Sequence, residues 1–216
     1  VIQKEALELV KRAKEAIRDG DYAAAAEAAE MALGHDEDLG EAHLCLGRAR
    51  TELGHTELAI ISLERAADLL PESPEPYLCL AEVCLAREDL EGVVACLLDA
   101  LKRKPTDVDC RCRLAFIYSE TGHVIESIDQ YKNVLRTHPR HLRANRQLGV
   151  LMARLNRDEE AIKYLEQAHA VEPDDPQSIT LLGRLYARRR QYPLAQEAFQ
   201  TALSLRGEDA NLRAEL

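Results

Sequence analysis

The sequence predicts an all-α solenoid of six helix-turn-helix repeats. Three observations carry that prediction: a pattern that returns every 34 residues, a small residue at one fixed place in each copy, and a proline near the end of most copies. The clearest copy runs from Leu142 to Asp175. Within it Leu148, Gly149 and Met152 share one helical face, Ala161, Leu165 and Ala168 share another, and Pro173 closes the segment. This reads as two antiparallel helices joined at Asn156-Arg157-Asp158. One such hairpin cannot bury both of its apolar faces, whereas a stack of equivalent hairpins can.

Taken in order, the ungapped repeats are 6–39, 40–73, 74–107, 108–141, 142–175 and 176–209, and together they imply a single domain over 1–216. The eighth position of each is small: Ala13, Gly47, Ala81, Ala115, Gly149 and Gly183. The twentieth and twenty-seventh are also small, as in Ala59 and Ala66, while the twenty-fourth is bulky from the second repeat on: Leu63, Leu97, Tyr131, Leu165 and Phe199. Large side chains opposite small ones predict close interdigitation of the two helices. Turns are expected at position fifteen, where Gly20, Gly54, Gly122 and Asn156 accept left-handed backbone, and Pro71, Pro105, Pro139 and Pro173 are expected to end second helices. The first repeat, Ala-rich with Lys, Arg and Glu around it, suits a terminal unit with one face in water, and 210–216 reads as the start of a capping helix or a further repeat.

Composition narrows the function classes. The 216 residues carry a net charge of -10, which argues against nucleic-acid binding through phosphate contacts. The charge is uneven: 1–108 holds 12 basic and 23 acidic side chains, 109–216 holds 16 and 15. No apolar run reaches the length of a membrane span and no leader pattern opens the chain, so membrane insertion is not expected. The cysteines at 45, 79, 84, 96, 110 and 112 form no CxxC pair, which favours reduced, space-filling thiols and a cytoplasmic protein.

The small residue at eight, Gly20-Asp21-Tyr22 at fifteen to seventeen, alanine at twenty and twenty-seven and proline at thirty-two together resemble the tetratricopeptide repeat family. Departures are the absence of tryptophan at position four, Arg190 for the turn glycine in the last repeat, and Glu37 and Gly207 for proline in the first and last. The resemblance implies a right-handed superhelix whose concave wall is built by first helices, with positions two, five, nine, twelve and thirteen turned into the groove. Carried over residue by residue, this assigns a peptide-binding groove to Leu44, Arg48, Leu78, Glu82, Leu85, Cys112, Phe116, Arg146, Val150, Arg154, Arg184 and Arg188. Leu44, Leu78, Leu85, Cys112, Phe116 and Val150 would supply apolar surface. Arg143, Arg146, Arg154, Arg184 and Arg188 would give a basic lining, against Glu41, Glu75, Glu82 and Asp109 nearer the other end. Family members that hold a chaperone's terminal carboxylate place asparagine at positions nine and six. Lys14, Arg48, Glu82, Phe116, Val150 and Arg184 stand at nine here, so that clamp is not expected.

No phosphate loop, HExxH or nucleophile elbow is present, and Cys110-x-Cys112 has the wrong spacing for zinc. His138 and His141 flank a turn without companion ligands. The expectation is therefore a non-catalytic scaffold or adaptor without cofactor or metal. It would take peptides or amphipathic helices of other proteins, with an acidic segment favoured. The alternatives are the recognition arm of a larger enzyme or of an envelope or secretion complex, and a scaffold that self-assembles by docking one copy's end into another's groove.

Overall fold

A computed structural model describes residues 2–214, with side chains for 3–205. Among the described residues there are twelve helices and no strand: α1 (Ile2–Asp19), α2 (Tyr22–His35), α3 (Gly40–Glu52), α4 (Thr56–Leu69), α5 (Glu75–Ala86), α6 (Leu90–Arg103), α7 (Val108–Glu120), α8 (Val124–Thr137), α9 (Leu142–Arg154), α10 (Asp158–His169), α11 (Pro176–Arg188) and α12 (Tyr192–Ala214). Each 34-residue segment thus contributes one pair. By packing, the chain divides into two compact units, Val1–Cys110 and Arg111–Leu216.

The first unit stacks α1 on α2, α3 on α4 and α5 on α6. Each pair meets the next through α2 with α3 and α4 with α5, and the first helices touch one another, α1 with α3 and α3 with α5. Its core holds Val10, Ala13, Ala28, Ala29, Ala32, Ala42, Cys45 and Leu46 around the first interface, and Leu44, Ala59, Leu63, Ala66 and Val83 around the second. In the second unit α9 packs on α10 and α11 on α12, with α8 against α9 and α10 against α11. There Ser127 of α8 donates to the Ala115 carbonyl of α7 at 2.7 Å, so the twentieth position touches the eighth directly.

The expected opposition of small and large side chains is physical. A Cβ added to Gly47 would lie 2.6 Å from Leu63 atoms, one on Gly149 would lie 2.6 Å from Leu165, and one on Gly183 would lie 2.7 Å from Phe199. These separations are well inside van der Waals contact, so glycine is what allows each helix pair to close. Leu63 and Leu165 are wholly buried in consequence.

All six fifteenth positions adopt left-handed backbone. Gly20, Gly54 and Gly122 have φ of 79°, 77° and 81°, and Asn156, Glu88 and Arg190 have 57°, 58° and 59°. The turn therefore survives in repeats three and six without glycine, at the steric cost of a Cβ in that region. Two second helices, α2 and α6, start on side-chain caps: Asp21 accepts from the Ala24 amide at 3.0 Å and Asp89 from the Gly92 amide at 2.9 Å. Position four, without tryptophan, holds the fully buried Asn145 in repeat five. Its amide donates to the carbonyls of Pro139 at 2.9 Å and His141 at 3.2 Å, fastening the preceding loop to α9.

One difference concerns the last segment. No new helix begins at Ala210; α12 runs unbroken to Ala214, because Gly207 in place of proline leaves the amide ladder intact. Glu215 and Leu216 lie outside the described residues.

Two predictions follow from backbone and core. Glu88→Gly and Arg190→Gly should each raise the free energy of unfolding by about 1 kcal/mol by relieving the left-handed turn, measured by urea denaturation. Tyr131 is 0% exposed and its hydroxyl has no hydrogen-bond partner. Tyr131→Phe should therefore stabilise the protein by about 1 kcal/mol, read in the same experiment.

Candidate interaction surfaces

First helices present the residues assigned to a binding wall, and burial sorts them. In the first unit Leu44 is only 7% exposed and belongs to the core around Leu63, so it supports the wall from behind. Leu78 is half-buried, Leu85 is 46% exposed, and Arg48 and Glu82 are exposed. Arg48 and Glu82 flank a cleft of about 90 Å³ that Ile17, Tyr22, Thr51, Glu52 and Cys79 complete. Ile17 and Thr51 stand at position twelve, so the repeat register already placed them on this wall. Glu52 stands at position thirteen and was placed there in the same way, whereas Tyr22 and Cys79 carried no such signal, since they enter only through the packing of neighbouring hairpins.

Charge in this unit is largely settled within it. Lys14 pairs with Glu41 at 2.8 Å and Arg50 with Glu30 at 3.0 Å. At the rim of the stack Arg103 lies 4.0 Å over the Tyr77 ring and donates to the Tyr77 hydroxyl at 2.6 Å and to the Pro71 carbonyl at 3.1 Å. The Cys79 thiol beside the cleft is pushed up to about 12, first by burial and then by the charge of Glu82, so it is a neutral wall group at physiological pH.

In the second unit Phe116 is 36% exposed and Val150 half-buried, so both offer apolar surface. Cys112 is 0% exposed, with Sγ 3.9 Å from His141 Nδ1, and it is core rather than lining. That nitrogen also accepts the Ala144 amide at 3.2 Å, so His141 caps α9, while His138 Nδ1 sits 2.9 Å from Thr137 Oγ1. Both histidines are thus engaged by their own turn.

The expected row of five arginines splits. Arg146 pairs with Glu172 and, at 3.2 Å, with Asp175, both in the loop behind α10. Arg188 pairs with Asp158 and leans on the Asn156 side chain at 3.4 Å. Arg188 thus ties the last repeat to the one before it, Arg146 ties α9 to the closing loop of its own repeat, and both leave little charge for a partner. Among the described residues Arg143, Arg154 and Arg184 are exposed and form no ion pair, so the basic surface reduces to these three. The loss of Arg146 and Arg188 was hidden from the sequence because their acids lie 26 to 30 residues away, at the far end of the same repeat for Arg146 and across a repeat boundary for Arg188.

Asp175 shows what the Arg146 contact does. Burial acts to raise its pKa, but the Ser178 hydroxyl, the Arg146 charge and the Gln177 and Ser178 amides outweigh it, holding the carboxyl below its usual range. Such a depressed carboxylate contributes stability that is present above its unfolded pKa of about 4 and is lost as pH falls through the folded value.

All six cysteines are free thiols; 45, 110 and 112 are buried and 79, 84 and 96 are half-buried. No helix among the described residues is long and apolar enough to cross a membrane, and none of them groups three or more metal-binding side chains.

Paired helices in a fixed register, small-on-large hairpin packing and partly exposed apolar side chains on the first helices define a helical-repeat protein of the protein-binding kind. Family models described as tetratricopeptide repeat match residues 10–74 and 122–185, and the chain belongs to that family. Human PEX5-related protein is 26% identical over 178 residues, 77% of this chain and 28% of its own length. Subunit 3 of the Schizosaccharomyces pombe anaphase-promoting complex is 23% identical over 142 residues, 62% of this chain and 20% of its own. The chain therefore spans less than a third of these relatives. Among solved structures, YrrB, described as a TPR protein with an unusual peptide-binding site, superposes with a TM-score of 0.72 at 16% identity, covering 88% of this chain and 98% of that one. MamA gives 0.67 at 22% identity, covering 79% and 93%. At these identities the two structures speak for the fold.

Replacing Arg146 by alanine should lower stability at pH 7 and cost progressively less as pH falls below about 4, where Asp175 becomes protonated. Denaturant titrations of both proteins at pH 7 and pH 3 check this; an equal loss at both would mean that the pair contributes nothing.

Proposed function

We propose that this chain is a non-catalytic protein-interaction scaffold that takes peptide or helical segments of other proteins on its first-helix surfaces. The observation that carries the reading is apolar side chains left in contact with water on first helices: Leu78 and Leu85 on α5, Phe116 on α7 and Val150 on α9. Leu85 is 46% and Phe116 36% exposed, and side chains of this kind are what an amphipathic helix or extended peptide covers. Three of them would supply roughly 5 to 9 kcal/mol gross on burial, against an association and ordering cost of about 4 to 15 kcal/mol. Binding through them alone is weak.

Exposed Arg154 and Arg184 supplement it in the second unit, and they favour a partner with acidic residues beside its apolar ones. Their main effect is on the rate of encounter. A cytoplasmic setting belongs to the same reading, supported by six thiols kept free. A second reading, the recognition arm of a larger protein, is favoured by one observation: the relatives it matches are three to five times longer than the matched region.

The test starts from a displayed peptide library selected on the wild-type protein, followed by affinities of the chosen peptides for variants. Leu78→Asp together with Phe116→Asp should abolish binding with helicity unchanged, and Arg154→Glu with Arg184→Glu should slow association with acidic peptides about tenfold at low salt. Peptides that bind the Leu78→Asp, Phe116→Asp protein as tightly as wild type would sink the proposal.

A further inference from the structure

Repeat three differs from its neighbours at one pair of positions. In repeat two, position eleven is Arg50 on α3 and position twenty-three is Ser62 on α4, and the guanidinium donates to the Ser62 hydroxyl at 2.8 Å. These two places therefore face each other across a hairpin. Repeat three fills them with Cys84 on α5 and Cys96 on α6.

Two further observations bring the sulfurs together. Cys84 Sγ lies against Gly92 of α6, so close that a Cβ there would be 2.9 Å from it. Gly92 sits one helical turn before Cys96 on the same face, where Cβ atoms are about 5 to 6 Å apart. Cys84 is close enough to act directly on the Cys96 thiol. Both are half-buried and neither is bonded to anything else covalently, so a small oxidant can reach them.

We propose that Cys84 and Cys96 are a redox-responsive pair, oxidised by a hydroperoxide to a disulfide that staples α5 to α6. One sulfur attacks the terminal peroxide oxygen. The O–O bond breaks, that sulfur becomes a sulfenic acid, and the leaving oxygen takes a proton to depart as water or an alcohol. The second sulfur then displaces the hydroxyl, which leaves as water with the second thiol proton. Two electrons and two protons pass from the thiols to the peroxide. Burial, with the adjacent Cys84 adding to it, pushes the Cys96 thiol up to about 12. Cys96 thus holds its proton at neutral pH until the oxidant draws it off. The staple closes a short loop around the Glu88 turn and fixes the helix that carries Leu78, Glu82 and Leu85. It does not depend on the peptide-binding reading, since it concerns the opposite edge of α5.

The experiment treats the folded, reduced protein with a few equivalents of hydrogen peroxide, blocks remaining thiols, and maps unreduced peptides by mass spectrometry. The expected result is a cross-link between the peptides holding Cys84 and Cys96, lighter by two hydrogens, with the other four thiols still free and the unfolding midpoint raised by about 5 °C. Cys84→Ser and Cys96→Ser should each abolish the cross-link and leave, on the remaining thiol of the pair, a sulfenic acid that dimedone captures. Circular dichroism of each serine variant confirms that the helices persist. All six thiols remaining free, a cross-link between other cysteines, or only intermolecular dimers would each overturn the proposal.

Discussion

Glycine at the eighth position and a large side chain at the twenty-fourth meet at distances that leave no room for even one more carbon, at Gly47 with Leu63, Gly149 with Leu165 and Gly183 with Phe199. Everything else in the fold depends on that contact. It draws the two helices of a hairpin together, which buries the leucines, and each buried leucine contributes about 1.5 to 3 kcal/mol. Where alanine replaces glycine, at Ala81 and Ala115, the opposing residue is Leu97 or Tyr131, and both are still buried. The rule is therefore complementarity of size, with glycine as its tightest case.

Because hairpin packing consumes one face of each helix, the remaining faces divide the chain's chemistry. Polar groups near repeat boundaries are spent on internal contacts, as with Arg103 on Tyr77 and Pro71, Arg146 on Asp175, or Arg188 on Asp158. What remains for an outside partner is smaller than the sequence suggests: Leu78, Leu85 and Arg48 in the first unit, and Phe116, Val150, Arg154 and Arg184 in the second. A scaffold of this kind has modest intrinsic affinity. Its specificity would come from how these few groups are spaced by a rigid repeat.

The candidate surface was half legible. Register alone located Phe116, Val150, Leu78 and Leu85 on first helices, and the structure leaves all four accessible. Register could not tell that Leu44 and Cys112, at the same fifth position as Leu78, turn into the core, because a helix face is wider than the strip that reaches water. Nor could it reveal Glu88 in a left-handed turn, since the surrounding hairpin imposes that backbone on a residue that does not choose it.

The sequence by itself determined the period, the pairing of helices and the turn positions, all of which rest on local preference and on residue size repeated at a constant interval. Tertiary structure alone decided which arginines are neutralised, which apolar residues of the wall are buried and which two cysteines touch. Those outcomes depend on contacts between residues 12 to 30 apart, made across hairpins and repeat boundaries, and a one-dimensional pattern does not record such distances.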